Sequence, residues 1–418
     1  MAYSGKHGGD AKELAEVFNK GLSLSSRGVH ADDYLNSHQA VAPPMHVSTT
    51  FRYSKDPDAL TPLSNFNPQT PYDDFVYSRD GGPNTTRLEA ILSAVLNGPS
   101  LTYSSGLSAF HAMLVFLNPK RIAIGGGYHG CHGVIHLLTK LNGLQQVELE
   151  DGAALATLQK GDVIHVETPL NPTGEARDLA YYRRRADELG CFLTVDATFA
   201  PPPLQDPFQY GADIVFHSGT KYFGGHSDML SGVLSVRPTA DRADWLGGLK
   251  EERVYLGSVM GSLEGWLGVR SLRTLELRVL RQTESSQKLV DWLVGELSGG
   301  SEGGTVSESV FKVLHASQQP EAADAGSWLR KQMPNGFGPV FSILMQSEQL
   351  AKRLPSKLHL FHHATSLGGV ESLIEWRAMS DSTVDKRLLR VSIGVEAWED
   401  LKEDILQGLR ALKAEVAQ

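Results

Sequence analysis

The sequence predicts an α/β protein in which a larger unit on a mostly parallel sheet is followed by a smaller α/β unit, and three observations lead there. Short apolar runs alternate with helical stretches from Leu101 to Val236, the βαβ signature of a parallel sheet. Past Val236 the pattern changes to long helical periodicity and then to isolated strand-type runs. The 418 residues also exceed what one core usually fills. The expected division is an N-terminal arm over 1–60, a large domain over 61–267 and a small domain over 268–418.

Composition narrows the function classes. With 41% hydrophobic and 21% charged residues the chain is ordinary globular material. A net charge of -9 opposes nucleic acid and anionic membranes as partners, since both reward a basic face. No apolar run approaches the roughly 20 residues that span a bilayer. The N-terminus lacks a basic stretch followed by an apolar one, so no secretory signal is expected. Only Cys131 and Cys191 are present, which fits a reducing compartment, and a cytoplasmic protein is expected.

The elements follow in order. Residues up to about Tyr53 read as an extended arm, because Pro43 and Pro44 forbid a helix interior, and 57–74 as a surface loop. Tyr77-Ser78-Arg79-Asp80 forms a turn that presents a Tyr and an Arg on one side if extended. Such a pair can grip a phosphate, or it can be a surface arginine beside a packing tyrosine. A helix begins at Asn84, with Leu88, Ile91, Leu92, Val95 and Leu96 on one face, Asn84 or Thr85 as cap and Gly98 as stop. The run from Ser100 to Tyr103 leads into Ser104-Ser105-Gly106-Leu107 and a helix reaching Leu117. The first N–H groups of that helix suit a phosphate, although ordinary caps look alike.

Arg121 to Ile124 is a strand, and Tyr128-His129-Gly130-Cys131-His132 stands beyond it. His129, Cys131, His132 and His136 lack the separated pairs of zinc motifs, so no metal is expected. Tyr128 instead offers an aromatic face for a flat ligand. Asp162 to Val166 and Cys191 to Val195 are strands flanking a helix over Asp178 to Leu189. The second strand ends at Asp196, whose burial demands a cation; a protonated pyridine nitrogen would serve.

The run from Ala212 to Phe216 delivers Ser218-Gly219-Thr220-Lys221 to a turn at a strand's carboxyl end, where open α/β sheets place ligands. A desolvated lysine there loses its proton easily and can form a Schiff base with an aldehyde cofactor; the competing reading is a solvated surface lysine. Farther on, Trp245 to Ser258 reads as irregular, Trp266 to Leu297 as helical and Ser298 to Val306 as a flexible connection. The runs Pro339 to Leu344, Leu358 to Phe361 and Leu388 to Ile393 read as strands, and Ala397 to Ala417 as a closing helix.

Taken in order, Tyr77-Ser78-Arg79, Ser104-Ser105-Gly106-Leu107, Glu167 to Thr173, Val195 to Ala200, His217 to Gly232, Thr365 to Ser372 and Arg390 to Gly394 resemble one family. It is the Cys/Met metabolism family of pyridoxal-phosphate enzymes, the cystathionine γ-synthase group of fold type I. The resemblance runs from about Val29 to Leu412. Any single block would be unspecific; the ordered set is not.

The resemblance implies pyridoxal 5'-phosphate in a Schiff base with Lys221, its ring nitrogen held by Asp196 beside Thr198, and Tyr128 stacked on the ring. It implies a phosphate held by Ser105, Gly106, Leu107, Ser218 and Thr220, and by Tyr77 and Arg79 of a neighbouring subunit, hence a dimer-built homotetramer with shared sites. Arg390, with Ser366, Asn171 and Thr365, would grip the substrate's α-carboxylate. Lys221 and Tyr128 would be the catalytic pair. The implied reaction is γ-replacement on an O-acyl-L-homoserine through a vinylglycine-type intermediate, with a thiol or a stabilised carbon nucleophile as co-substrate. The alternative is γ- or β-elimination from cystathionine, methionine or cysteine.

Some positions depart from the family pattern. Gly133 stands where members handling long diacid-like substrates carry an arginine after the stacking tyrosine, and Thr365 stands where many carry a glutamate. The cofactor set is complete while these charges are missing, so a smaller acyl ester and a less charged nucleophile are expected.

Overall fold

The computed structural model describes residues 21–35, 40–60, 62, 75–300 and 304–416. Its larger sheet holds β1 (Ser100–Tyr103), β2 (Arg121–Ile124), β3 (Gln145–Glu148), β4 (Val163–Glu167), β5 (Phe192–Asp196), β6 (Ile214–Ser218) and β7 (Gly232–Val236). They lie in the order β1-β7-β6-β5-β4-β2-β3. Strand β7 runs antiparallel to both its neighbours, and the other pairs are parallel. Helices Gly106–Leu117, His129–Asn142 and Leu179–Leu189 make crossovers between strands and cover the sheet with separate apolar clusters. That is why β4 is buried along its whole length: a parallel sheet with helices on both faces has no wet side.

A smaller sheet holds β8 (Val310–Leu314), β9 (Val340–Met345), β10 (His362–His363), β11 (Leu373–Trp376) and β12 (Leu388–Ser392), in the order β10-β11-β12-β9-β8. Leu401, Ile405, Leu409 and Leu412 of the Trp398–Val416 helix recur at three- and four-residue spacing and bury against it. The Leu275–Leu297 helix joins the two regions: Leu275 and Val279 pack with Leu88 and Tyr222, whereas Leu289 and Leu293 pack with Phe341 and Leu409. Gly268 lies inside the Ser262–Leu272 helix, where a Cβ would press on Leu88 at 2.7 Å. The expected boundary between 267 and 268 thus falls inside a helix that packs on the larger region. Among the described residues no helix is long and apolar enough to cross a membrane.

Several sequence expectations are corrected. Trp245–Leu256 is a helix. Gly247 and Gly248 depress its propensity by about 1 kcal/mol each. Gly248, however, lets it approach the Phe116 ring, which a Cβ would meet at 2.7 Å. Trp245 packs edge-on against Phe116 and Phe192, which offsets that loss. Within the expected arm, Leu24–His30 is a helix opened by a Ser23 cap and lying against Pro83–Val95. The Pro83–Val95 helix begins after Gly82 without a side-chain cap, because Asn84 instead ties down the incoming chain through His46 N–H and Pro44 C=O.

Leu358 to Phe361 is not a strand. Leu358 and Phe361 anchor in the core, while Asp404 takes the N–H groups of His359 and Leu360 that a ladder would have used. The Trp266 to Leu297 stretch is two helices, Ser262–Leu272 and Leu275–Leu297. Of the expected connection from Ser298 to Val306, the far end is fixed, with Val306 buried in the small-sheet core. The loop expected over 57–74 lies mostly outside the described residues; its start, Pro57–Ala59, is a short 3-10 turn capped by Asp56.

Candidate active site

The carboxyl ends of β4, β5 and β6 converge on one place. Register aligns Glu167 with Asp196 and Asp196 with Phe216, so two carboxylates and the turn after β6 share one edge. Both acids are buried, and burial pushes both carboxyl groups above the ordinary range, with Asp196 raising Glu167 further and Thr198 partly offsetting the rise at Asp196. Glu167 is met by the N–H of Tyr128 at 2.8 Å and that of Asn171 at 2.8 Å. Asp196 accepts the Thr198 N–H at 2.9 Å, and Thr198 Oγ1 accepts from Ser218 N–H at 2.9 Å. No arginine or lysine contacts Asp196 among the described residues. A buried carboxylate of that kind fits a cationic nitrogen brought by a ligand.

Lys221 stands on the turn after β6, its Nζ 2.7 Å from Ser366 Oγ. Burial, followed by the Arg390 guanidinium, lowers its pKa to about 8, so the neutral amine is easily reached. The covering loop is tightly placed: Ser366 and Gly368 both have a φ of 81°, and a Cβ on Gly368 would crowd Lys221 and Tyr222. A serine held in that region is a local strain that the surrounding packing must hold in place.

The Gly106–Leu117 helix opens with a reciprocal capping box between Ser105 and Ser108. The box uses the N–H groups of Ser105 and Ser108, and those of Gly106 and Leu107 lie ahead of the intrahelical ladder. A Cβ on Gly106 would sit 3.2 Å from Ser218 Oγ, so the bare glycine keeps a cradle open between helix start and strand end. This donor set suits a phosphate. Thr220 is turned aside, its hydroxyl bridging the backbone of Ser231.

Tyr128 caps the His129–Asn142 helix, and its ring lies over Gly130 and Leu107, where a Cβ on Gly130 would meet it at 2.6 Å. Burial raises its phenol pKa. It thus faces the same space as the cradle and Asp196. Tyr77 and Arg79 are not joined to this group by any hydrogen bond among the described residues; Arg79 lies over the Tyr77 ring at 5.2 Å on an exposed turn.

From the small sheet comes Arg390, opposite Glu375 in the β11–β12 register and buried. It donates to Asn171 Oδ1 at 3.1 Å, Ser366 C=O at 2.8 Å and Glu375 at 2.6 Å. Ser366 and Asn171 therefore gather at Arg390, whereas Thr365 is exposed beside them. Sequence reasoning did not single out Glu167, Glu375 or Arg377. The first carried a signal, as an acid at a strand's carboxyl end one position from a threonine-proline turn. The other two carried none without the strand register. Gly133 is exposed and a Cβ there would meet open space, so no charge enters from that position.

Comparison with known proteins extends this geometry. The model of the family described as Cys/Met metabolism PLP-dependent enzyme matches residues 25–410. The chain is 30% identical to the cystathionine gamma-synthase of Escherichia coli over 94% of its own length and 98% of that protein's. It is 32% identical to a cystathionine beta-lyase of Lactococcus lactis over 80% of this chain and 88% of the other. Among solved structures it resembles CalE6, a methionine gamma lyase from Micromonospora echinospora, with a TM-score of 0.78 and 30% identity across 93% of this chain and 99% of that one.

Proposed function

This chain belongs to the Cys/Met metabolism PLP-dependent enzyme family, and from that premise we propose that it catalyses γ-replacement on an O-acyl-L-homoserine, the O-acetyl ester ahead of the succinyl ester. In the reaction the Cγ–O bond breaks, the carboxylate leaves with the electron pair, and Cγ bonds to the sulfur of a thiol or to a stabilised carbon nucleophile, whose proton is released. Bound pyridoxal phosphate supplies the electron sink for charge left on the substrate when protons are removed.

The chain's own groups divide the remaining work. Asp196 would hold the proton on the ring nitrogen, Tyr128 would lie against the ring, and Ser105, Gly106, Leu107 and Ser218 would surround the phosphate, with the Thr220 hydroxyl committed to Ser231 and Thr198 fixing both Asp196 and Ser218. Arg390, Asn171 and Ser366 orient the α-carboxylate, with Thr365 at the rim, and Lys221 Nζ, poised near neutrality, moves the Cα proton. Tyr77 and Arg79, exposed and partnered with each other, complete the phosphate site of a neighbouring subunit in a homotetramer.

The observation that carries the choice of a small, weakly charged substrate is Gly133, an exposed position without a side chain on the helix that Tyr128 opens. The test is to incubate purified protein with O-acetyl-L-homoserine and a panel of thiols and β-dicarbonyls and to search for the joined product by mass spectrometry. An adduct is expected. Steady 2-oxobutanoate and ammonia with no adduct would make the protein an elimination lyase.

A further inference from the structure

Beyond Arg390 the buried charges continue. Glu375 Oε2 receives Arg390 Nη2 at 2.6 Å and Arg377 Nη1 at 3.1 Å, and Glu375 Oε1 receives Ser380 Oγ at 2.6 Å. All three ionic side chains are buried, with 4%, 5% and 3% of their surface exposed for Arg390, Glu375 and Arg377. One carboxylate thus serves two guanidiniums, and the trio is one negative charge short. Asp381 compensates from a longer distance, its Oδ2 3.6 Å from Arg377 Nη2 while its Oδ1 takes the N–H and hydroxyl of Thr383. Nε and Nη2 of Arg377 make no hydrogen bond.

We propose that Glu375 and Arg377 are a positioning pair that sets how strongly Arg390 takes the substrate's α-carboxylate. Glu375 orients the Arg390 fork but also neutralises it, so an arriving carboxylate shares the guanidinium with a like charge. Arg377, with donors to spare, draws Glu375 toward itself and lowers that repulsion. The two residues therefore act with opposite sign on one binding event. Glu375→Gln keeps an acceptor for Arg390 and removes the competing charge; it tightens carboxylate binding. Arg377→Gln leaves Glu375 wholly to Arg390; it weakens carboxylate binding.

This rests on the reading that Arg390 binds the α-carboxylate, and the experiment separates the two. The holoenzyme is titrated with L-norvaline, which has no leaving group, and with its carboxamide, following the cofactor absorbance; KM and kcat are measured alongside. Glu375→Gln should lower the norvaline Kd and Arg377→Gln should raise it, each on the order of five- to tenfold, typical of a coupling between neighbouring sites. The carboxamide affinities should stay nearly unchanged while KM moves with the norvaline Kd, and the double variant should return toward wild type. If both single variants weaken norvaline alike, or move acid and amide together, the pair is merely structural and the proposal fails. If Glu375→Gln does not hold cofactor, the acid-to-amide ratio of Arg377→Gln decides alone. An Arg390→Lys variant with unchanged norvaline affinity would instead overturn the underlying reading of Arg390.

Discussion

The two halves of the candidate site are built by different means, and they meet at Lys221. The cofactor half is made of backbone and strand ends: a helix start with free N–H groups, a glycine that keeps a cradle open, and a carboxylate placed by the parallel register of β4, β5 and β6. The substrate half is made of long ionic side chains on and beside two antiparallel strands, β11 and β12, with Arg390 fixed by Glu375, Asn171 and a loop carbonyl. Backbone geometry gives a site that single substitutions alter in steps. An ionic chain gives one whose affinity is tuned by charges not touching the ligand.

The comparison breaks most sharply at the shared residue. Lys221→Ala removes the proposed Schiff-base amine and proton carrier, so turnover should fall by at least the factor of about 100 to 10,000 associated with losing a general base. The cradle and Asp196 remain, so absorbance should still show cofactor bound, now noncovalently.

Arg390→Lys should leave cofactor retention intact and raise the amino-acid Kd, measured by absorbance titration, by about tenfold or more, because a point charge replaces a buried fork. Asp196→Asn should do the reverse, with cofactor lost on dialysis and little change in the geometry around Arg390.

The halves also communicate through the lysine's proton. With its pKa lowered to about 8, Lys221 in the cofactor-stripped protein is charged below that pH and neutral above it. Recombination with pyridoxal phosphate, followed by absorbance, should therefore accelerate as pH rises and level off above a midpoint near 8. The Arg390 charge contributes to that lowering, so Arg390→Leu should move the midpoint upward. An unmoved midpoint would separate the two halves electrostatically.

The smallest expected effect lies in the cradle. Ser105→Ala deletes one arm of the capping box and should lower stability by about 1 kcal/mol in denaturant unfolding, with a modest loss of cofactor affinity.

Legibility in the sequence followed the same divide. The cofactor half was readable because its parts are local: apolar runs mark β2, β4, β5 and β6, and Ser105, Asp196 and Lys221 follow directly on strand ends. The substrate half was not readable in full. Arg390 stood in a recognisable block, but Glu375 gains meaning only from the pairing of β11 with β12, a long-range register that no local pattern encodes, and Arg377, just past that ladder, only from its contact with Glu375. Elsewhere Trp245–Leu256 was hidden by two glycines, of which Gly248 allows a close approach to Phe116. Leu358 and Phe361 imitated a strand although they serve as core anchors.

If both halves are organised around the amine of Lys221, borohydride reduction of the holoenzyme, followed by proteolysis and mass spectrometry, should place the phosphopyridoxyl label on the peptide containing Lys221; a label on any other lysine, or none at all, would contradict that organisation.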